Sequence, residues 1–445
     1  MKAVIMAGGK GTRVAKVARD IPKPMIRICG KPILQHQIEC LKKNGIDDIT
    51  IVTGYLGNLI KDYFGSGSSF GVKISWFHET QPLGTAGSLY KIFNCESESD
   101  FSEDFILLCG DTIFDIDFRR FINFHYQTGA LASLLSHPNS HPFDSALIVT
   151  EILQPERVGG LPKETHRVVK WLNKEDNRES VESDILKREY YKNRVNAGIE
   201  IINSRLLKIA EKNIHGEKVD LDRDILKPCV SSGKIFAYDT SEYIKDAGTP
   251  ERLLQVENDI NSGLVENRNL SKKQKAVFLD RDGTLNKKHG FICSPDQLEL
   301  LEGTSEAIKK INSSGYLAIV VTNQPQIARG ELTFGELYEI NNKLETLLGK
   351  EGAYIDAIYF CPHHTDKGFE GERIEYKVEC ECRKPKPGML LKAAKDFNID
   401  LSKSIMIGDS ENDILAGKAA GCKKNILLSE KLTLLSCVAA GDFFD

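Results

Sequence analysis

Two α/β domains are what this sequence predicts, and three observations predict them. Two segments open alike, with a short apolar β-rich run ending in a polar loop that contains glycine: "AVIMAGGKGTR" from Ala3 and "AVFLDRDGTLN" from Ala276. After each opening, short apolar runs alternate with helical patterns, as expected of helices laid on largely parallel sheets. At 445 residues the chain is also too long for one ordinary core. Between the two openings, "VENDINSGLVENRNLSKKQK" loses its apolar period and collects Asn, Ser and Lys. That places the domains at residues 1–262 and 275–445, with a linker at 263–274.

In the first domain the strand runs are "ITIVTG", "VKISWF", "FILLCGD", "ALASLLS", "ALIVTEI" and "AGIEIIN". The helical patterns "ILQHQIECLKKNG" and "DFRRFINFHYQTG" end on Gly45 and Gly129, which act as helix stops. In the second, "YLAIVVTNQ", "IDAIYFC" and "SIMIGDS" are strands separated by "SEAIKKINSSG", "FGELYEINNKLETLLG" and "GMLLKAAKDFNI". The tail "LTLLSCVAAGDFFD" is apolar enough to pack or to meet another subunit. In such sheets ligands sit at the carboxyl ends of strands, and the polar motifs of both halves fall there.

Composition excludes several classes of function. With 41% hydrophobic residues, 27% charged residues and a formal net charge of −4, neither disorder nor binding of nucleic acid or an anionic membrane is indicated. The N-terminal apolar run is too short for a signal sequence or a membrane span, so a cytoplasmic protein is expected. The 11 cysteines lack the spacing of a secreted disulfide scaffold, and most read as small buried hydrophobes.

The first opening places Gly8, Gly9 and Gly11 straight after a strand, where backbone N–H groups can approach a triphosphate, with Lys10 and Arg13 to neutralise its charge. Alone, this pattern is more often just a tight turn. Three further pieces add weight: "DIPKPM" presents Lys23 between two prolines, "PLGTAG" is a second glycine-rich loop, and "LLCGD" ends a strand on Asp111. Together with "VNAGIEII" and "YIKDAGTPE", they resemble the sugar nucleotidyltransferases over residues 1 to 260. The resemblance implies a Rossmann-like, GT-A-like mixed sheet. It also implies in-line attack of a sugar 1-phosphate on the α-phosphorus of a nucleoside triphosphate, with positioning and charge neutralisation as the means of catalysis.

By the same resemblance, Arg13 and Lys23 serve the phosphates, and Asp111 and Asp246 hold Mg²⁺. Gly84, Thr85, Ala86 and Gly87 lie against base and ribose, and Asn196 and Gly198 against the sugar. The spacing in "ETQPLGTAG" looks more like the guanylyl-transferring members, with Glu79 for the guanine edge and GTP as the nucleotide. A solvated charge at the strand end is the other reading of Glu79. One departure stands in "KWLNKED": Lys174 keeps a phosphate role, but Asn173 replaces a carboxylate that serves the sugar hydroxyls in many relatives. That argues against an ordinary hexose.

The second opening puts Asp280 and Asp282 two apart at a strand end, before a glycine turn. A calcium loop would need later acidic positions that are missing, and plain turn chemistry leaves other pieces unexplained. Those pieces are Thr322 and Asn323 in "VVTNQ", Arg383 and Lys384 in "RKPKPG", and Asp409 and Asp413 in "MIGDSENDI". The set resembles the haloacid dehalogenase superfamily over residues 275 to 425, which implies a Rossmannoid parallel sheet and a phosphatase. Asp280 would attack phosphorus, and Asp282 would protonate the leaving oxygen and then activate water. Mg²⁺ would rest on Asp280, the carbonyl of Asp282 and Asp409. Thr322, Asn323, Arg383 and Lys384 would take the phosphoryl oxygens, with Asp413 orienting its neighbours.

Cys361, His363, Cys380 and Cys382 supply four ligands, enough to close a tetrahedral Zn²⁺ without water, so this metal should be structural; His364 should point elsewhere. The stretch "CPHH" with "CECRKPKPG" resembles the histidinol and heptose bisphosphate phosphatases, and "IARGELTFGEL" with "HGFI" looks more like the heptose branch. Pro325 and Gln326 stand where that branch commonly has smaller residues. The joint expectation is a bifunctional enzyme that dephosphorylates D-glycero-D-manno-heptose 1,7-bisphosphate and then makes GDP-heptose from heptose 1-phosphate. Two alternatives stand beside it: a mannose 1-phosphate guanylyltransferase fused to a histidinol-type or other sugar phosphatase, and a nucleotide-binding regulatory module on a phosphatase.

Overall fold

A computed structural model describes residues 1–9, 21–95, 104–153, 159–173, 190–288, 290–441 and 443–444. The chain divides into two units, one of residues 1–136, 165–171 and 196–269, the other of residues 137–164, 172–195 and 270–445. A single cut near residues 262 to 274 therefore does not describe the packing. Nor is the expected linker at 263–274 loose: Leu264–Asn267 forms a helical turn, and Arg268, Asn269 and Leu270 are buried. The polar residues that suggested a loop are used in bonding, as when Asn269 Nδ2 donates to Asp115 Oδ1 at 2.7 Å.

The strands up to residue 269 are β1 (Lys2–Met6), β2 (Arg27–Ile28), β3 (Lys31–Pro32), β4 (Asp48–Thr53), β5 (Lys73–His78), β6 (Asp104–Cys109), β7 (Thr112–Asp115), β8 (Ala132–His137), β9 (Leu147–Leu153), β10 (Lys163–Leu172), β11 (Val195–Asn203), β12 (Ile235–Asp239) and β13 (Tyr243–Asp246). The main sheet of the first unit has the order β5-β4-β1-β6-β11-β8-β12-β10. β1 is parallel to β4 and β6, with Ile5 opposite both Ile51 and Leu108, whereas β11 is antiparallel to β6, with Ile201 opposite Ile106. The sheet is thus mixed. Ala3, Val4 and Ile5 are all fully buried, as a strand covered on both faces requires, which is why "AVIM" shows no alternation.

Helix α1 (Ile33–Lys43) sets Leu34, Ile38 and Leu41 into this core. Its buried Gln37 donates Nε2 to the carbonyls of Cys109 and Thr112 at 2.8 and 2.7 Å, and so pins the turn that carries Asp111. Helix α2 (Gly87–Cys95) follows the second glycine-rich loop. Helix α3 (Phe118–Thr128) starts on an Asp117 cap and stops at Gly129 in the left-handed region, as its sequence predicts. Helix α4 (Pro250–Asn261) begins on a Thr249 cap.

In the second unit β14 (Lys275–Leu279), β15 (Tyr316–Asn323), β16 (Ala357–Cys361), β17 (Ile405–Gly408) and β18 (Lys424–Leu427) form a parallel sheet of order β16-β15-β14-β17-β18. One face packs on α5 (Thr304–Ser313) and α6 (Phe334–Lys350), the other on α7 (Gly388–Asp396) and α8 (Glu411–Ala420). The C-terminal tail packs rather than standing free: Leu434, Cys437, Val438 and Phe443 are buried in the core beneath α5. Leu434→Ala should therefore lower the stability of this unit by about 2–5 kcal/mol in urea unfolding. An unchanged midpoint would show that the tail contributes nothing to that core.

Candidate active sites

Both sites lie where strands end. In the first unit the ends of β1 and β6 open a cavity of about 470 Å³. Gly8, Gly9, Lys23, Glu79, Gly84, Thr85 and Asp111 all line it. Gly11, Arg13 and Lys174 lie outside the described residues. Lys23 is buried between its two prolines, and its Nζ sits 2.5 Å from Asp111 Oδ2, so a cation and a carboxylate neutralise each other at the cavity floor. Glu79 is not simply a solvated charge: it faces the cavity and accepts a hydrogen bond from the buried Ser88 Oγ at the start of α2.

Gly84 has φ +86°, and a Cβ there would stand 2.3 Å from the carbonyl of Val219, so only glycine lets these two backbones meet. Ala86 N donates to that same carbonyl at 3.0 Å, and Thr85 Oγ1 accepts from Leu221 N at 2.7 Å. Ala86 and Gly87 thus brace the loop from behind, while Gly84 and Thr85 face the cavity. Lys218 and Asp220, on the braced segment, also line it and carried no signal in the sequence.

Asp246 pairs with Thr112 across β13 and β7, and Ala247 N donates to the Asp111 carbonyl at 2.9 Å, so the backbone sets the two aspartates side by side. Its carboxylate is gripped by Arg252 Nη1, at 2.7 Å to each oxygen, and does not line the cavity. Asn196 and Gly198 sit on β11 beside the cavity-lining Cys109, whose Sγ would be 3.2 Å from a Cβ at Gly198. Asn196 Nδ2 donates to Glu200 Oε1 at 3.2 Å. Glu200 is 1% exposed, an acid in the middle of an apolar strand. That oddity in "VNAGIEII" was the signal available for it.

In the second unit the ends of β14, β15 and β17 open a cavity of about 230 Å³, and it gathers Asp280, Asp282, Thr322, Asn323, Arg383, Lys384, Asp409 and Asp413. Lys384, buried, donates Nζ to Asp280 Oδ1 at 2.8 Å and to the Val321 carbonyl at 2.7 Å, and lies 2.5 Å from Asp413 Oδ1. Burial alone would lower its pKa, but Asp280 and Asp413 win and raise it. Burial pushes the Asp280 carboxyl up against the pull of Lys384. Asn323 exchanges hydrogen bonds with the Lys384 backbone, N to Oδ1 and Nδ2 to O, both at 3.0 Å.

Asp282 is held differently. Arg281 grips it through Nε and Nη2, each at 2.9 Å, while Gln324 and Asn286 donate to it at 3.0 and 3.1 Å. Burial opposes its charge, yet these donors keep its pKa below the usual carboxylate value. The sequence reading missed Arg281, Gln324 and Asn286, because a fully buried arginine is rare enough to be read as a surface residue.

Asp280, Asp409 and Asp413 each bring a carboxylate oxygen within 4.8 Å of the others. Asp409 Oδ1 is buried with no hydrogen-bond partner among the described residues, which fits a cation ligand, and Lys288 takes its other oxygen at 2.7 Å. Gly283 has φ +90°, and a Cβ there would stand 2.3 Å from Asp409 Oδ2. Asp413 accepts from Ser410 N and Oγ, at 3.0 and 2.6 Å, and its carboxylate also stands with those of Asp280 and Asp409. Farther along, Cys361, His363, Cys380 and Cys382 bring Sγ and Nδ1 atoms together at 3.1 to 3.6 Å. This donor set suits a closed tetrahedral ion. His364 turns away to Asp366, as expected.

Comparison with known proteins finds a match for each of the two parts of the chain. A family model described as nucleotidyl transferase matches residues 2–263, and one described as haloacid dehalogenase-like hydrolase matches residues 237–421. The D-glycero-beta-D-manno-heptose-1,7-bisphosphate 7-phosphatase of Pasteurella multocida (strain Pm70) is 46% identical over 156 residues, covering 35% of this chain and 82% of that protein. The D-glycero-alpha-D-manno-heptose-1,7-bisphosphate 7-phosphatase of Burkholderia mallei is 40% identical over 159 residues, covering 36% of this chain and 82% of that protein. Among solved structures, HddC from Yersinia pseudotuberculosis aligns with 58% of this chain and 99% of its own at 23% identity, with a TM-score of 0.43.

Glu200 generates a pH dependence. Burial, then Asp222, pushes Glu200 up to about 8, and burial, then Asp220, pushes Asp222 up to about 6. Both shifts favour the neutral form in the fold, so their stabilising effect is present below the ordinary carboxylate range and is lost as pH rises through about 6 and then about 8. Glu200→Gln should match the parent in urea near the ordinary carboxylate range and become the more stable protein as pH rises, the gap growing by on the order of 1 kcal/mol per pH unit. A gap independent of pH would mean that Glu200 is ionised in the fold.

Proposed function

Because the chain belongs to the nucleotidyl transferase family over residues 2–263 and, in its C-terminal part, to the heptose bisphosphate phosphatases among the haloacid dehalogenase-like hydrolases, it is a bifunctional enzyme of nucleotide-activated heptose biosynthesis, and we propose how its two sites divide the work. The C-terminal cavity removes the 7-phosphate of D-glycero-D-manno-heptose 1,7-bisphosphate. The N-terminal cavity then transfers GMP from GTP to the heptose 1-phosphate, releasing pyrophosphate. Residues 1–262 and 275–445 carry the respective chemistries, joined through 263–274, and the reactions take place in the cytoplasm. No helix among the described residues is long and apolar enough to cross a membrane.

The observation that carries this reading is the convergence of every expected phosphatase residue on one cavity. The carboxylate of Asp280 attacks the 7-phosphorus, the bond to the C7 oxygen breaks, and Asp282 delivers a proton to that oxygen. Asp282, which must enter the first step carrying a proton taken from the substrate's phosphate monoanion and is left by that step as a carboxylate held by its three donors, then takes a proton from the water that hydrolyses the aspartyl phosphate. Lys384, Arg383, Thr322 and Asn323 hold the phosphoryl oxygens. Mg²⁺ bound by Asp280, Asp409 and the Asp282 carbonyl would offset repulsion between nucleophile and substrate, with Asp413 as a further carboxylate at that position.

At the other site Lys23, with Arg13, neutralises the triphosphate, Glu79 reads the guanine edge, and Asp111 would hold Mg²⁺ together with Asp246 once that carboxylate is released by Arg252. Gly8, Gly9, Gly84 and Thr85 bring backbone close to the nucleotide, Asn196 and Gly198 serve the sugar phosphate, and Gly11 and Lys174 take the same respective roles by the resemblance. Zn²⁺ on Cys361, His363, Cys380 and Cys382 is structural, since those ligands leave no open position.

Incubation of the chain with the bisphosphate, GTP and Mg²⁺ should release phosphate and pyrophosphate and yield GDP-heptose by mass spectrometry. Phosphate without nucleotide sugar would confine the claim to the C-terminal site. Asp280→Asn should lower phosphatase turnover by several orders of magnitude and leave transfer from heptose 1-phosphate unchanged, and loss of both activities would contradict separate centres. Cys380→Ser should reduce bound zinc by metal analysis and raise the phosphatase KM through the neighbouring Arg383 and Lys384. Full activity in a chain stripped of that metal would remove the link between loop and site.

A further inference from the structure

Part of the stretch matched as nucleotidyl transferase packs with the phosphatase. Residues 137–164 and 172–195 lie in the same unit as residues 270–445. A buried charge pair fastens them there. Arg194 and Glu345 are each 3% exposed, and Arg194 Nη1 stands 3.1 Å from Glu345 Oε2. That same oxygen accepts the backbone N–H of Asn193 at 2.9 Å. Arg194 Nη2 donates to the Asp356 carbonyl at 2.8 Å, and Asp356 in turn exchanges hydrogen bonds with the Ala318 backbone on β15. On the other side, Ile148 N donates to the Arg194 carbonyl at 2.9 Å, and Val195 pairs with Leu147.

A desolvated guanidinium and carboxylate add little net stability over well-packed apolar side chains. What they do supply is geometry, because a planar fork bonded at each tine accepts one placement of the backbone. The backbone placed here is the start of β11, and two residues after Arg194 comes Asn196, followed by Gly198 and Glu200. Glu345 lies on α6, within the part of the chain matched as hydrolase and far in sequence from any nucleotide motif.

We propose that Glu345, by fixing Arg194, is a positioning residue for nucleotidyl transfer: it sets where β11 presents Asn196 to the sugar phosphate. This rests on the proposed reading of the first site as transferring a nucleotidyl group to a sugar 1-phosphate.

The test is steady-state kinetics of the full chain and two variants, Glu345→Gln and the paired Arg194→Met/Glu345→Met, which replaces the charges by apolar side chains of similar length. Both variants should raise the KM for the sugar 1-phosphate by about tenfold, with the KM for the triphosphate and the phosphatase turnover of the same preparations within about twofold of the parent. An unchanged acceptor KM in the paired variant, or a slowing of both activities in step with a lowered melting temperature, would overturn the proposal and leave the pair a structural contact. A parent chain that transfers no nucleotide to any sugar 1-phosphate would overturn the reading beneath it, and this inference with it.

Discussion

Lys384 is the group on which the C-terminal centre depends. A buried ammonium without partners gives up its proton. Here two carboxylates and a carbonyl surround it, and its charge persists in spite of burial. The benefit runs both ways, because the buried Asp280 carboxylate can stay ionised only beside a fixed cation. Yet two ammonium groups, Lys384 and Lys288, do not balance three carboxylates. Asp280, Asp409 and Asp413 leave surplus negative charge in a small cavity, and this surplus is what a hard divalent cation neutralises. Arg281 does the corresponding work for Asp282, whose surroundings differ from those of Asp280 in being a guanidinium and two amides in place of a lysine.

The N-terminal cavity uses the same device in a shallower setting. Lys23 and Asp111 neutralise each other, and Arg252 neutralises Asp246. Lys23 is the buried member of these pairs, and Asp111 keeps its charge from being buried alone. The hydrogen bonds of Gln37 to the 109–112 turn add a backbone hold on the position of Asp111 beside its ion pair with Lys23. Glu200 follows the opposite rule: among the described residues it has an amide neighbour and nearby acids but no cation beside it, and burial drives it toward the neutral form.

How much of this was legible depends on the kind of residue. Strands such as β1 and β15 announce themselves as apolar runs, and Asp280, Thr322, Lys384 and Asp409 follow because each stands at the end of such a run or in a glycine-bearing turn. β10, with the run "KETHRVVKWL", has no such pattern, since only some of its residues are buried. The cysteines and His363 were readable because four donors at short spacing have few other uses in one loop. Arg281, Gln324, Arg252 and Lys218 were not, since nothing in their local sequence separates them from surface polar residues.

By itself the sequence determined the two α/β halves, the strand-end aspartates, the glycine loops and the grouping of three cysteines with His363, because backbone conformation and side-chain chemistry restrict residue types locally. Only the tertiary structure decided that Asp413 joins the carboxylates, that the stretch at 263–274 is ordered, and that residues 137–164 and 172–195 pack with the C-terminal unit. Those outcomes hinge on which buried charge finds a partner from a distant part of the chain. Pairing of that kind depends on distances in space, to which residue order is only a distant guide.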